Sequence, residues 1–249
     1  MNETIETILN HRSIRKFQDE PLTEAQVHTL IQSAQSAATS SYIQAYSIVG
    51  VTDREKKKAL AELAGGQSYV EHNGHFFVFC ADLYRHAVLA EEKDVEITPA
   101  LESTEKFMVT VVDAALAAQN AAIAAESMGL GICYIGGIRN DLEQVQQLLE
   151  TPAYVVPLFG FAVGVPRDNA STKPRLPMTH IYHENTYDAD RARVHEEIAA
   201  YDETIQAYYE ERTGGARSDT WSEQMMRLLQ KNSRSYMKDF VQNQGLNRR

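Results

Sequence analysis

Apolar and polar positions along the chain alternate between helix-like and strand-like stretches from end to end. Residues 3–10 carry a short helical pattern. In PLTEAQVHTLIQSAQSA (21–37), Val27, Leu30, Ile31 and Ala34 recur at the spacing of one buried helix face. Thr23 and Gln26 form the Thr-x-x-Gln capping-box signature at its start. IQAYSIVGVT (43–52), rich in β-branched and aromatic residues, predicts a strand, and DREKKKALAELAG (53–65) a polar helix stopped at Gly65-Gly66. GHFFVFCAD (74–82) is a continuous apolar run of strand length, which predicts a central strand covered on both faces. GICYIGG (131–137) and YVVPLFGFAVG (154–164) predict two further strands, joined by the helical RNDLEQVQQLLET.

Between and after these elements the pattern changes character. Residues 85–107 are mixed and charged, a mobile helical excursion on this reading. The alanine-rich stretch 109–128 is apolar on nearly every face, which predicts a helix buried all round, between the sheet and a second subunit. VPRDNASTKPRLP (165–177) reads as a proline-rich loop. Two helical segments, 190–212 and 221–242, follow, split by the basic loop RTGGAR (212–217). The order predicts an α+β fold in one domain over 1–249. Residues from about 178 onward form a helical arm without a core of its own, suited to wrapping a partner.

Composition narrows the function classes. A net charge of −10 excludes broad nucleic-acid binding. The apolar stretch 109–131 is interrupted by Asp113, Gln119, Asn120 and Glu126, so no membrane span is expected. No signal-peptide pattern opens the chain, and the cytoplasm is the expected compartment. Two cysteines, Cys80 and Cys133, are too few for a disulfide scaffold or a zinc site, and no metal is expected. No Rossmann glycine fingerprint, Walker loop, zinc-protease motif or nucleophile elbow is present.

Against the acidic background stands HRSIRKF (11–17), which packs His11, Arg12, Ser13, Arg15 and Lys16 around Ile14. Arginine forks hold two anionic oxygens at once, and serine and histidine add donors. Alternatively these residues form a solvated basic turn beside the end of the first helix. In KPR (173–175), Pro174 holds Lys173 and Arg175 on extended backbone, as an anion clamp or merely as a charged loop tip. The small-residue turns ATSSY (38–42), GGQSY (65–69) and YIGGIR (134–139) allow backbone amides to approach a flat or anionic ligand, and each is also an ordinary turn sequence.

In this order these motifs, with AALAAQNAAIAAESMGLG, PLFGFAVG, HENTY and DTWS, resemble the nitroreductase superfamily across essentially the whole chain. The resemblance is to its NADPH-preferring subgroup of oxygen-insensitive nitroreductases and flavin reductases. It implies a mixed β-sheet flanked by helices, in an intertwined homodimer with helical C-terminal arms and one non-covalent FMN at each interface. His11, Arg12, Ser13 and Ile14 then correspond to the FMN phosphate and ribityl side, with Lys173, Pro174 and Arg175 closing on the phosphate. Arg15 corresponds to the cation near flavin N1 and O2. Thr39 and Ser41 approach the cofactor, Gln67, Ser68 and Tyr69 border its pyrimidine end, and Tyr134, Ile135, Gly136 and Gly137 line the ring. Arg212 and Arg217 match the loop that grips the 2′-phosphate of NADPH, with NADH as a second possible coenzyme.

The implied reaction is hydride transfer from NADPH to bound FMN. A ping-pong two-electron reduction of a small acceptor follows: free flavin, a quinone or a nitroaromatic. Arg15 stabilises developing charge, and no general acid or base is required. A flavin-binding module without turnover, or a different flavin reaction, would use the same residue clusters.

Overall fold

The computed structural model describes residues 1–168 and 170–249. Contacts divide them into two compact units, residues 1–170 with 234–249, and residues 171–233.

The first unit begins with α1 (Glu3–Leu9), capped by Asn2, and α2 (Glu24–Gln35), where both arms of the Thr23–Gln26 capping box form. Such a cap contributes about 1 kcal/mol. A tight 3-10 turn at Ser40–Tyr42 leads into β1 (Tyr46–Val51). Then come α3 (Arg54–Leu63), the single turn α4 (Ser68–Glu71) and β2 (His75–Asp82). The charged stretch expected to be a mobile excursion is occupied by α5 (Tyr84–Glu92) and α6 (Thr98–Leu101). The long α7 (Thr104–Ser127) is followed by β3 (Gly131–Ile135), α8 (Leu142–Leu149) and β4 (Val155–Gly164).

The four strands form one sheet in the order β1-β2-β4-β3, antiparallel at every pairing. The parallel element of the expected mixed sheet is an isolated bridge from Ser13 to Ile132. β2 is central and buried along nearly its whole length, as its unbroken apolar run requires. Alternation sorts its side chains between two layers. Phe76, Val78 and Cys80 join Leu60, Ala64 and Val145 on the α3/α8 side. Phe77 and Phe79 join Leu30, Ala117, Ala118, Ala121 and Ala125 on the α2/α7 side. On β1, at the sheet's edge, the Tyr46 carbonyl accepts a hydrogen bond from Arg85 Nη2 at 3.0 Å, and Ser47 Oγ accepts another at 2.8 Å.

Within one chain, only one side of α7 is covered, and the second subunit expected on its other side is not part of the structure. The alanine face of α7 packs on the phenylalanines, but Met108, Val112 and Leu116 on the other side are 58%, 50% and 44% exposed. An apolar pattern reports burial without saying which molecule provides it. By length and composition α7 could cross a bilayer, yet its inner face is the lid of the sheet, which makes it a core helix.

The segment 221–242 is two helices, α10 (Trp221–Leu229) and α11 (Met237–Asn243), because the chain turns between them with Arg234 at φ 60°. α11 and the tail belong to the first unit: Phe240, Val241 and Leu246 pack with Leu101, Leu142 and Leu158, and Glu102 receives Arg248 and Arg249 at 3.0 and 2.7 Å. The second unit holds α9 (Arg191–Thr213) and α10, around Tyr201, Ile205 and Tyr209 with Leu176, Tyr208 and Trp221. The expected coreless arm therefore has a small aromatic core.

On β2, His75 stacks on Phe77 at 4.2 Å, and burial, then nearby Lys57, lower its pKa from 6.5 to about 4. A depressed histidine gives stability that is present above pH 6.5 and lost as pH falls toward 4, because the unfolded chain takes up the proton first. Urea unfolding of the wild type should lose about 1–2 kcal/mol from this group across that window, less than the whole shift because the ring is partly open to solvent. His75→Gln should show a correspondingly flatter profile.

Candidate functional site

The basic knot runs beside the edge strand β3. Ile14 N–H donates to the Ile132 carbonyl at 2.8 Å, and Phe17 pairs with Pro166. This register buries Ile14 and Phe17 and leaves Arg15 and Lys16 facing outward. The Ile14 side chain therefore belongs to the core.

The cations are not equivalent. Lys16 is paired with Asp168 at 3.0 Å, and Arg12 donates to the Asn10 carbonyl at 3.0 Å. His11 Nδ1 is 2.7 Å from Glu126 Oε1, so the C-terminal part of α7 fixes the imidazole. Arg15 has no carboxylate partner among the described residues and lies beside Tyr69 and Cys133. Burial raises the Tyr69 phenol's pKa, with Cys133 adding to the shift and Arg15 opposing it. Burial likewise raises the Cys133 thiol, against the pull of Arg15.

GGQSY closes against YIGG. Gln67 Nε2 donates to the Ala64 carbonyl at 2.6 Å, and the Tyr69 hydroxyl donates to Gln67 Oε1. A Cβ on Gly137 would sit 2.5 Å from the Ala64 carbonyl and 2.7 Å from Gln67 Nε2, so only glycine lets these turns meet. Ser68 is exposed at the start of α4, beside them in the chain. Arg15, Gln67, Tyr69, Gly136 and Gly137, predicted from separate motifs, thus come together on the α3 side of the sheet.

Two predicted residues of the YIGG motif do not join them through their side chains. Ile135 is 1% exposed and lies in the core. Tyr134 points to the opposite layer, where its ring packs on Phe159 and Phe161 at 5.6 and 5.1 Å and its hydroxyl donates to Gln119 at 3.4 Å. Strand alternation dictates this, since Tyr134 lies between the inward-facing Cys133 and Ile135. The side chains at 134 and 135 thus face away from the Arg15–Gln67 group, which the backbone and Gly136–Gly137 border instead.

Thr39 and Ser41 lie in a turn held by α7. Asp113, fully buried, accepts from the backbone N–H of Ser40 at 2.9 Å and of Ala45 at 3.0 Å. Ser41, Tyr42 and Gln44 all have positive φ, an arrangement non-glycine residues hold only when their surroundings impose it. No hydrogen bond among the described residues joins this turn to the Arg15–Gln67 group. Asp113 and Glu126 escaped assignment as functional supports, although the signal was present: acidic residues in an otherwise apolar helix.

Within the second unit, Lys173 Nζ lies 5.3 Å from the Tyr209 ring centroid and the Arg217 guanidinium 4.1 Å from the same ring. Arg212 lies over Tyr208 at 5.7 Å and donates to that hydroxyl at 2.6 Å. Burial raises the pKa of the Tyr209 phenol, but Lys173 and Arg217 outweigh it and hold the group below its usual value. Pro174 is fixed by the Tyr201 hydroxyl, which donates to its carbonyl at 3.0 Å, and Arg175 is exposed nearby. The sequence patterns did not single out Tyr208 and Tyr209.

Comparison with known proteins decides the family. Residues 8–165 match the nitroreductase family model, and residues 173–249 match the model of the nitroreductase family C-terminal domain. The chain belongs to the nitroreductase family. It is 59% identical over 248 residues to the FMN reductase (NADPH) of Bacillus subtilis, with complete coverage of both chains. The structure of B. megaterium NfrA1 superposes with a TM-score of 0.98 at 60% identity, covering 99% of this chain and 100% of that one. The NADPH:FMN oxidoreductase of Vibrio harveyi, solved with NAD+, gives a TM-score of 0.90 at 43% identity with complete coverage of both chains.

Within this nitroreductase-family fold, Asp113→Ala should leave one buried and one part-buried backbone donor without acceptors and cost about 1–3 kcal/mol in urea unfolding. Asp113→Asn should cost less, because one carbonyl acceptor remains.

Proposed function

We propose that this chain is an FMN-dependent NADPH oxidoreductase, an FMN reductase and oxygen-insensitive nitroreductase, in which Arg15 is the catalytic cation. Arg15 carries the reading: an exposed guanidinium without a carboxylate partner among the described residues, set beside Gln67, Tyr69 and the glycines at 136–137. The donor set suits FMN, because it combines an unneutralised cation, an amide side chain and small backbone surfaces with no competing acid between them.

FMN held there would supply the two-electron chemistry that links NADPH to a small acceptor (free flavin, a quinone or a nitroaromatic) in ping-pong order. Arg15 places fixed positive charge where negative charge develops at N1 and O2, without reorganisation at the moment of reaction. Gln67, Ser68 and Tyr69 orient the pyrimidine end, and Gly136 and Gly137 allow close approach of the ring. His11, Arg12, Ser13, Lys173 and Arg175 hold the phosphate side. Glu126 orients the His11 imidazole for that task. Thr39 and Ser41 approach the cofactor from the turn anchored on Asp113. Arg212 and Arg217 bind the 2′-phosphate of NADPH, and a coenzyme lacking that phosphate, NADH, gains nothing from them.

The chain acts as one FMN-binding domain in a homodimer, with a helical arm beyond about residue 178. The bare face of α7, with Met108, Val112 and Leu116, supports a second copy there, as do the exposed Ile5, Ile8 and Leu9 of α1. Cytoplasmic residence accords with two free, buried cysteines.

An anaerobic visible spectrum, before and after one equivalent of NADPH per subunit, tests the reading. Yellow protein that bleaches at once supports it, and protein that stays yellow favours flavin binding without turnover. Colourless protein that cannot be reconstituted with FMN removes the reading altogether. In stopped flow, Arg15→Ala should retain FMN yet be reduced by NADPH roughly 100-fold more slowly; unchanged reduction would sink the role of Arg15. Alanine at both Arg212 and Arg217 should raise KM for NADPH by about tenfold or more and leave NADH nearly unaffected. Equal losses with the two coenzymes would contradict the phosphate assignment.

A further inference from the structure

The cations of the coenzyme loop are held in an uncommon way. A guanidinium usually meets a protein partner through its edge, where its five N–H donors lie, and a carboxylate there leaves fewer of them for a ligand. Arg217 instead lies over the face of Tyr209 at 4.1 Å. Its Nε edge is taken by Asp219 at 2.9 Å. Asp219 is shared, because Arg227 bonds its other oxygen. Arg212 lies over Tyr208 and donates one edge nitrogen to the hydroxyl, a neutral acceptor. The two rings pack against each other edge-on at 5.3 Å, and Tyr209 is 6% exposed in the small core of this unit. Two glycines, Gly214 and Gly215, lie between the arginines. Without a holding surface, both long side chains would have to be ordered at the expense of coenzyme affinity.

We propose that Tyr209, seconded by Tyr208, is the positioning residue for NADPH selection. Its ring face holds the Arg217 guanidinium ready, with its outer N–H fork turned to a phosphate monoester. This deepens the coenzyme assignment of the preceding section and rests on it.

The cation–π contact supplies order without neutralising charge, which an additional carboxylate in its place would do. The role is assigned to the ring face, although the hydroxyl, which donates to Gln224 at 3.3 Å, is also approached by Lys173 and Arg217; a phenylalanine at 209 separates the two contributions. Lys173 approaches the same ring at 5.3 Å, so one aromatic side chain holds cations from two loops.

The test compares wild type, Tyr209→Phe, Tyr209→Leu and Arg217→Ala, each saturated with FMN, in steady state with NADPH and with NADH. Tyr209→Leu should raise KM for NADPH roughly three- to tenfold. Its kcat and its KM for NADH should not change. Tyr209→Phe, which keeps the ring, should behave as wild type, and Arg217→Ala should lose at least as much NADPH preference as Tyr209→Leu. A merely structural role for Tyr209 would raise KM for both coenzymes together, and that result overturns the proposal. So does a Phe variant as impaired as Leu, which would assign the effect to the hydroxyl. If Arg217→Ala loses NADPH preference while Tyr209→Leu keeps it, the proposal falls and the arginine assignment stands. If neither variant changes the preference, the phosphate reading of the loop falls and takes the proposal with it.

Discussion

The close approach of an alanine-rich helix to a floor of phenylalanines organises the first unit. Ala117, Ala118, Ala121 and Ala125 of α7 lie on Phe77, Phe79 and Phe161, and the small side chains let the helix axis come near the sheet. That contact fixes α7 as a rigid rod, and two of its acidic residues then act at a distance from each other. Asp113 gathers the strained turn at 40–45, and Glu126 orients His11. Thirteen residues of helix separate them, about 20 Å along the axis. A larger side chain in the alanine row would shift both supports at once, as well as loosening the core.

Much of this architecture was legible in the residues themselves, and the illegible parts share physical causes. β2 announced itself because burial on both faces demands an unbroken apolar run, and α2 because Thr23 and Gln26 cap each other. Which side of α7 its own chain covers was not legible, since Met108, Val112 and Leu116 are as apolar as the residues beneath them. The break between α10 and α11 depends on Arg234 adopting a left-handed conformation, which no residue type there advertises. The site divides in the same way. The grouping of Arg15, Gln67 and Gly137 could be anticipated from their motifs, whereas the direction of the Tyr134 ring required the strand register. Tyr209 was invisible because an aromatic residue on a helix ordinarily signals packing, and here it packs and holds cations together.

The charged residues sort by partner. Arg248 and Arg249 spend their charge on Glu102, and Lys16 spends its on Asp168. These pairs secure the chain and offer little to a ligand. Arg15 is set among neutral groups, while Arg212 and Arg217 rest on rings. Of the cations assigned to ligands, Arg217 shares Asp219 with Arg227, while Arg15 and Arg212 have no acid pair among the described residues, in a chain of net charge −10. In an acidic molecule such local reserves attract anions only at close range, because screening removes the field beyond about 10 Å at moderate salt.

Arg85 has a further consequence for the sheet as a whole. β1 is an edge strand, and an edge with free carbonyls is a template on which another extended chain can crystallise. By bonding the Tyr46 carbonyl and the Ser47 hydroxyl, Arg85 occupies the start of that template with a bulky, hydrated cation. The same side chain that ties α5 to β1 therefore guards the folded molecule, and its late folding intermediates, against runaway strand addition.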